Sequence, residues 1–165
     1  MASITLGGNP ASTIGQLPQV GSQAPAFNLI DMNLERVSLQ DYAGSRIILN
    51  VFPSIDTGVC ATSTRKFNER AASLKNTKVV CVSKDLPFAF KRFCGAEGID
   101  NVVCLSDFAT GDFGKQYGLT MADTKLAGLH SRAVIILDET GKVIYTEQVS
   151  DIANEPDYEA ALAAL

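Results

Sequence analysis

The sequence lacks several features that would assign it to a common functional class. Its 165 residues include no tryptophan and one histidine, and acidic residues outnumber basic ones, which gives a net charge of -4. Nucleic-acid binding depends on a positively charged surface, so this charge argues against DNA or RNA as a partner. No apolar run has membrane-spanning length, and residues 1–10 do not resemble a signal peptide. We therefore expect a cytoplasmic protein that does not associate with membranes.

Sequence motifs for cofactors are also missing. There is no Gly-x-Gly-x-x-Gly and no Walker-type loop, so nothing predicts a nucleotide cofactor. The four cysteines contain no C-x-x-C pair, and His130 is the only histidine that could join them in a metal site or a Cys-His hydrolase. We expect no metal and no cofactor, and a loop position without a catalytic role for His130.

The composition and the order of predicted elements indicate an α/β fold. With 46% hydrophobic and 19% charged residues, the chain fits one domain, residues 1–165, with a substantial core. Apolar runs predict buried strands at 46–52, 78–83, 102–105, 133–137 and 143–145, and helical patterns cover 61–74, 88–96 and 158–165, with Pro156 where the last helix should begin. Two crossover units followed by a hairpin predict a mixed central sheet flanked by helices.

The remaining segments predict smaller features. Ile4–Leu6 and Ala11–Ile14 flank a Gly-Gly-Asn-Pro turn, which is typical of a small N-terminal β-hairpin. The weak alternation at 27–30 predicts an edge strand, and 37–42 a short strand or turn. Residues 107–118 have a mixed pattern, and the four glycines between Gly111 and Gly128 indicate turns and loops.

One stretch carries the strongest chemical signal. The apolar strand 46–52 is broken by Pro53, which cannot donate a hydrogen bond to a β-ladder, and Cys60 follows in the first turn of the next helix. Unpaired backbone N–H groups and the helix dipole favour a thiolate at such a position. Taken singly, Thr57 fits a helix cap, Pro53 a strand end, and Arg132 an exposed charge at the edge of a strand. Their combination with Cys60 indicates a nucleophile.

This stretch resembles the active-site signature of the peroxiredoxins, Pro53-x-x-x-Thr57-x-x-Cys60. The longer string 52–60, together with 85–89, 92–98 and 155–162, is similar to one branch of that family, the bacterial thiol peroxidases, which are atypical two-cysteine peroxiredoxins. The resemblance extends from the N-terminal hairpin to the last helix and implies a thioredoxin-like fold.

The resemblance also implies a role for each matching residue. Cys60 would be the peroxidatic nucleophile, which reduces hydrogen peroxide and alkyl or lipid hydroperoxides in antioxidant defence. Thr57 would place its hydroxyl near the sulfur and the peroxide, and Pro53 would shield the sulfur from water. Arg132 would stabilise the thiolate and the developing charge on the oxygens, because a guanidinium stays charged.

The branch further implies a second redox cysteine. Cys94 would resolve the sulfenic acid of Cys60 by forming an intramolecular Cys60–Cys94 disulfide, which thioredoxin then reduces, and the protein would be a homodimer packed near the active-site loops. If both helices are intact in the reduced form, this disulfide requires local unfolding. Cys81 and Cys104 lie in apolar strand runs, and we interpret both as structural.

Two other functional classes stay open at the level of sequence. A thioredoxin-fold disulfide oxidoreductase would share the architecture, although it would normally carry a C-x-x-C pair, which is missing here. A redox sensor would use oxidation of Cys60 as a switch. A sensor oxidises stoichiometrically, whereas an enzyme consumes many equivalents of peroxide when a reductant is supplied.

Overall fold

A computed structural model describes residues 1–165 and shows a seven-stranded mixed sheet, a separate hairpin and four α-helices. The strands are β1 (Ser3–Leu6), β2 (Asn9–Ser12), β3 (Asn28–Ile30), β4 (Arg36–Ser38), β5 (Arg46–Val51), β6 (Thr77–Ser83), β7 (Val103–Ser106), β8 (Ala133–Leu137) and β9 (Val143–Gln148). The helices are α1 (Gly58–Ala71), α2 (Pro87–Glu97), α3 (Asp112–Gln116) and α4 (Tyr158–Ala163), and a 3₁₀ turn covers Leu39–Tyr42. None of these helices is long and apolar enough to cross a membrane.

The order of strands in the sheet is β4-β3-β7-β6-β5-β8-β9. The strands β5, β6 and β7 are parallel, and each of the other pairs in the sheet is antiparallel. Helices α1 and α2 are the crossovers that connect the parallel strands. The predicted mixed sheet is therefore confirmed, and so is the N-terminal hairpin, in which Ile4 of β1 lies opposite Ala11 of β2.

The strand β5 is central because both of its faces are covered. Side chains alternate along a strand, so Ile47, Leu49 and Val51 enter one core cluster while Ile48 enters the other. The second cluster lies under α1, α2 and α4 and contains both Cys60 and Cys94. The first cluster lies on the opposite face, where α3 contributes Phe113. Helices thus flank both faces, and both cysteines of the predicted redox pair lie on the same side of the sheet.

Three predictions about individual elements were wrong. The strand in 27–30 is not an edge strand, because β4 pairs with its outer side and forms that edge of the sheet. The mixed segment 107–118 contains the helix α3, which is too short for a helical period to show in its sequence. The last helix does not begin at Pro156, since Asp157 caps it by accepting a hydrogen bond from the backbone N–H of Ala160.

Substitution of Ile48 by alanine tests the importance of the cluster under α1. Ile48 is fully buried, so Ile48→Ala should lower the free energy of unfolding by about 2–5 kcal/mol through lost burial and a residual cavity. Ile14 is 46% exposed, and Ile14→Ala should cost less than about 1 kcal/mol. Urea denaturation of both variants would measure this difference, and equal losses would contradict the assignment of the core.

Candidate active site

The sequence places Cys60 at a helix start, and the structure confirms this position. The ladder of β5 ends with the hydrogen bond from the N–H of Phe52 to Val82, and Pro53 follows it. Thr57 is the N-cap of α1, and its carbonyl accepts the first helical hydrogen bond from Ala61. Cys60 is the third residue of the helix, and its side chain is fully buried. Its sulfur therefore lies where helical N–H groups have no intrahelical partners and favour negative charge.

Arg132 is also buried, directly before β8. Its side chain is 2% exposed, and its Nε donates a hydrogen bond of 2.9 Å to the carbonyl oxygen of Ile152. The buried Nη1 has no hydrogen-bond partner, and no carboxylate forms an ion pair with this guanidinium. A buried charged group with an unpaired donor is costly, so the arrangement favours an anionic or oxygen-rich group beside Nη1.

A cavity of about 180 Å³ brings the predicted site residues together. Pro53, Thr57 and Arg132 all line it, and its other walls are Leu6, Gly58, Val59, Leu126, Ile152 and Ala153. Thr57 Oγ1 donates a hydrogen bond to the carbonyl of Ser54 at 3.0 Å, which leaves its lone pairs free to accept another. Cys60 does not line the cavity, although its neighbours Gly58 and Val59 do. The sulfur of Cys60 is therefore not exposed to the cavity in this structure.

Asp85 holds the loop between β5 and α1 in place. It lies just before α2, and its carboxylate accepts hydrogen bonds of 2.7 Å from the hydroxyl of Ser54 and of 2.7 Å from the backbone N–H of Ile55. The hydroxyl of Ser83, at the end of β6, also donates to it. One carboxylate therefore connects the strand β6, the start of α2 and the loop that leads to Cys60.

Two surface ion pairs connect the Cys60 side of the site with α2. Arg65 of α1 forms two hydrogen bonds of 2.9 and 2.8 Å with the carboxylate of Glu97, and its guanidinium lies 5.6 Å from the ring centre of Phe93. On the loop, Asp56 pairs with Arg92. The hydrogen bonds from Arg65 hold the pKa of Glu97 below its ordinary value. The stabilisation of the fold by this ion pair is therefore complete when the pH is above the ordinary pKa of a glutamate. It is lost only as the pH falls through the lowered pKa of Glu97.

The other three cysteines lie close together on one side of the sheet. Cys81 of β6 and Cys104 of β7 are partners in the parallel register, and both are buried. Cys94 of α2 is 5% exposed, and its sulfur lies 3.6 Å from that of Cys104. All four cysteines are free thiols, so the structure represents the reduced protein.

His130 lies apart from the cavity. It is fully buried, and its Nε2 lies 3.1 Å from a carboxylate oxygen of Asp107, which also accepts hydrogen bonds from the backbone of Phe113 and Gly114 in α3. The imidazole is within ion-pair distance of Asp107, although it is not aligned for a hydrogen bond. As the sequence predicts, His130 lies outside the helices and strands, in the connection between α3 and β8, where it makes a buried polar contact with Asp107.

The structure places the predicted site residues Pro53, Thr57 and Arg132 around one cavity, but sequence reasoning missed the residues that hold them. Asp85 and Glu97 belong to the segments 85–89 and 92–98 that carry the family resemblance. No local pattern, however, shows which loop or helix their side chains contact. Leu6, Leu126 and Ile152 are distant in sequence and meet only in the cavity wall. The site thus combines a proline at the end of a strand, a cysteine at a helix start and a buried arginine, all on a thioredoxin-like sheet. This combination defines a class of protein, the thiol-based redox proteins.

Comparisons with known proteins identify the family. The redoxin family matches residues 19–162. Thiol peroxidases of Corynebacterium glutamicum and Mycobacterium tuberculosis are 55% and 56% identical over 165 residues, which cover 100% of this chain and 99% of each relative. The crystal structure of a peroxiredoxin-like protein from Aquifex aeolicus is 37% identical, superposes with a TM-score of 0.93, and covers 99% of this chain and 96% of that one. The chain therefore belongs to the redoxin family, within it to the thiol peroxidases, and is a peroxiredoxin-type peroxidase.

Replacing Asp85 by asparagine tests the support of the loop. An amide has one acceptor oxygen where the carboxylate has two, so Asp85→Asn should leave at least one of three donors unpaired, at a cost of about 1 kcal/mol or more. We expect faster hydrogen exchange at 53–57 and a lower kcat/KM for peroxide. Asp56→Asn is the control, because Asp56 is on the same loop but its carboxylate is exposed and makes a surface ion pair. Equal effects of the two substitutions would contradict the role of Asp85.

Proposed function

We propose that the chain reduces hydrogen peroxide and organic hydroperoxides through the thiolate of Cys60 and that Cys94 resolves the product. The observation that carries the proposal is the cavity beside the start of α1, which Thr57, Pro53 and Arg132 line. The buried Nη1 of Arg132 has no hydrogen-bond partner. A peroxide bound there would offer oxygen atoms that can accept hydrogen bonds from the guanidinium.

In the first step, the Cys60 thiolate attacks one peroxide oxygen. An S–O bond forms, the O–O bond breaks, and the leaving oxygen takes a proton and departs as water or an alcohol. Arg132 Nη1 is suited to stabilise the negative charge that develops on the oxygens, since it is a buried and permanently charged donor. Thr57 Oγ1 can accept a hydrogen bond from the peroxide O–H, because its own proton is donated to Ser54.

The cavity wall supports organic hydroperoxides as substrates besides hydrogen peroxide. Leu6 of the N-terminal hairpin, Val59, Leu126 and Ile152 give the cavity an apolar side opposite its polar groups. Asp151 fixes the hairpin against this wall, because its carboxylate accepts hydrogen bonds from Thr5 and from the backbone N–H groups of Gly7 and Gly8. An alkyl chain would gain by burying apolar surface there.

In the second step, Cys94 attacks the sulfenic sulfur of Cys60. An S–S bond forms and the S–O bond breaks, so that water leaves and an intramolecular disulfide remains. A dithiol protein of the thioredoxin type then reduces this disulfide and restores both thiols. Cycling of this kind needs a reducing compartment, and we propose the cytoplasm and a role in antioxidant defence.

A homodimer is part of the same proposal. Leu86 and Phe88, at the start of α2, are 51% and 65% exposed, and they lie beside Asp56 and Asp85 of the site. Large apolar side chains that are exposed together are typical of an interaction surface. A second copy of the chain packed there would contact the loop that leads to Cys60.

Titration of the reduced protein with peroxide tests the two-cysteine chemistry. One equivalent should lower the number of free thiols from four to two, and peptide mapping should find Cys60 joined to Cys94. Cys60→Ser should abolish turnover, and Cys94→Ser should allow one turnover but prevent thioredoxin-coupled cycling. Retained turnover in Cys60→Ser, or four thiols remaining in the wild type, would overturn the proposal.

Formation of the disulfide requires local opening of α1 or α2. In the reduced structure Cys60 and Cys94 are buried on separate helices, and the sulfur of Cys94 contacts Cys104. The disulfide bond requires a sulfur–sulfur distance of about 2.05 Å, so at least one helix has to unfold or shift. The Arg65–Glu97 ion pair opposes this movement because it joins the two helices.

Two glutamate substitutions test this opening. Glu97→Gln should increase hydrogen exchange in α2 and accelerate disulfide formation by about twofold to fivefold, as expected for loss of an exposed ion pair. Glu159→Gln is the matched control, since it removes a similar ion pair between Arg70 of α1 and α4 without touching α2. Stopped-flow rates that are the same in wild type and Glu97→Gln, with identical exchange in both redox forms, would argue against local opening.

A further inference from the structure

Ile152 joins the N-terminal hairpin to the arginine of the site. Its carbonyl oxygen accepts the hydrogen bond of 2.9 Å from Arg132 Nε, and its backbone N–H donates one of 2.9 Å to the carbonyl oxygen of Thr5 in β1. The N–H of Thr5 in turn donates a hydrogen bond of 2.8 Å to the carbonyl oxygen of Ser150. The segment 149–153, which follows β9, therefore lies between the hairpin and the arginine and is bonded to both.

The bond to Ile152 is the only hydrogen bond that the guanidinium of Arg132 makes. The buried Nη1 has no partner. Hydrogen bonds from Lys66 and Tyr158 hold the pKa of Glu155 below its ordinary value, with a smaller contribution from the charge of Arg132, so this carboxylate is engaged by other groups. The orientation of the guanidinium thus depends on where the carbonyl group of Ile152 lies.

Asp151 fixes that carbonyl group from two sides. Four donors surround its carboxylate, namely the hydroxyl of Thr5 at 2.7 Å and the backbone N–H groups of Gly7, Gly8 and Ala153 at 3.1, 2.8 and 2.8 Å. Three of these donors belong to the hairpin, and the fourth follows Ile152 in the chain. The same bonds, of which that from Thr5 has the largest effect, hold the pKa of Asp151 below its ordinary value, so the carboxylate stays charged over the pH range in which a cysteine titrates.

We propose that Asp151 is a positioning residue for peroxide reduction, because it holds the carbonyl group of Ile152 in the place from which the guanidinium of Arg132 is oriented. This inference rests on the proposed role of Arg132 in stabilising the Cys60 thiolate and the charge that develops on the peroxide. The N-terminal hairpin then contributes to the reaction through Arg132, in addition to placing Leu6 in the cavity wall.

The expected effect follows from how a guanidinium stabilises charge. Its N–H groups have a fixed geometry, and they act best when they are held in place before the reaction, since no reorientation is then required in the transition state. Arg132 has one hydrogen bond to hold it, so a carbonyl group of Ile152 that is free to move would let the guanidinium turn. Both the Cys60 thiolate and the transition state would lose stabilisation.

The pH dependence of hydrogen peroxide reduction tests this in a Cys94→Ser background, where no disulfide with Cys94 can form. The second-order rate of the single turnover is measured in competition with a haem peroxidase, and its midpoint reports formation of the thiolate. In Asp151→Asn one acceptor oxygen remains, so at least two of the four donors lose their partner. The midpoint should rise by half a unit or more, which is about a threefold loss of thiolate below it, and the rate at high pH should fall by about threefold to tenfold.

The sign of the shift separates positioning from charge. Asp151→Asn removes a negative charge, which by itself would favour the thiolate and lower the midpoint, so a rise reports the arginine. Asp123→Asn is the matched control, because its carboxylate holds the other strand of the same hairpin through the N–H and the hydroxyl of Ser12, at 2.9 and 2.7 Å, and has no hydrogen bond to 149–153. It removes the same charge and should not raise the midpoint.

Thr5→Val is a second and milder variant, which removes one donor from Asp151. It should raise the midpoint by a smaller amount and keeps the proposal testable if Asp151→Asn does not fold. A role in stability alone would lower the melting temperature without moving the midpoint. An unchanged profile in Thr5→Val and in folded Asp151→Asn would overturn the proposal, as would an equal rise in Asp123→Asn.

Arg132→Met completes a double-mutant cycle. Once the guanidinium is gone, Asp151→Asn should have no further effect on the profile, and an undiminished effect would contradict an action through Arg132. The single variant Arg132→Met also separates the two proposals. If it leaves the profile unchanged, the proposed role of Arg132 is wrong and this inference falls with it; if it shifts the profile and Asp151→Asn does not, only this inference is wrong.

Discussion

The end of the central strand β5 is the constraint on which the rest of the site depends. Pro53 has no N–H to give to β6, so the ladder stops at Phe52 and the chain has to leave the sheet. Asp85 accepts the hydrogen bonds that the departing loop would otherwise leave unmade, and α1 then starts over the sheet with Cys60 in its first turn. The buried strand determines where the helix begins and in which direction it runs, and the helix determines the position of Cys60.

The guanidinium of Arg132 forms no ion pair with a carboxylate. Arg132 lines the same cavity from the position directly before β8, the antiparallel neighbour of β5, and it keeps one buried nitrogen without a partner. The cost of that burial is offset only when a negative or oxygen-rich group is nearby.

The structure also has to permit movement, because the two cysteines of the proposed cycle are buried on separate helices. Exposed ion pairs connect α2 with α1 and with the loop before α1, and such pairs contribute little free energy and break easily. The sheet beneath is different, since its inner strands are fully covered and would lose much more on opening. Local opening of the helices above an intact sheet is therefore the route to the proposed disulfide that costs the least free energy.

The sequence by itself determined the order of the elements, the thioredoxin-like class, and the position of Cys60 after a strand and a proline, because strand periodicity, helix starts and the properties of proline act over a few residues. Only the tertiary structure decided that β4 is the sheet edge, that Asp85 supports the active-site loop, that His130 pairs with Asp107 and that Cys104 contacts Cys94. Each of these depends on which side chains of distant segments face one another. That is set by the packing of the helices and strands as a whole, and no local pattern records it.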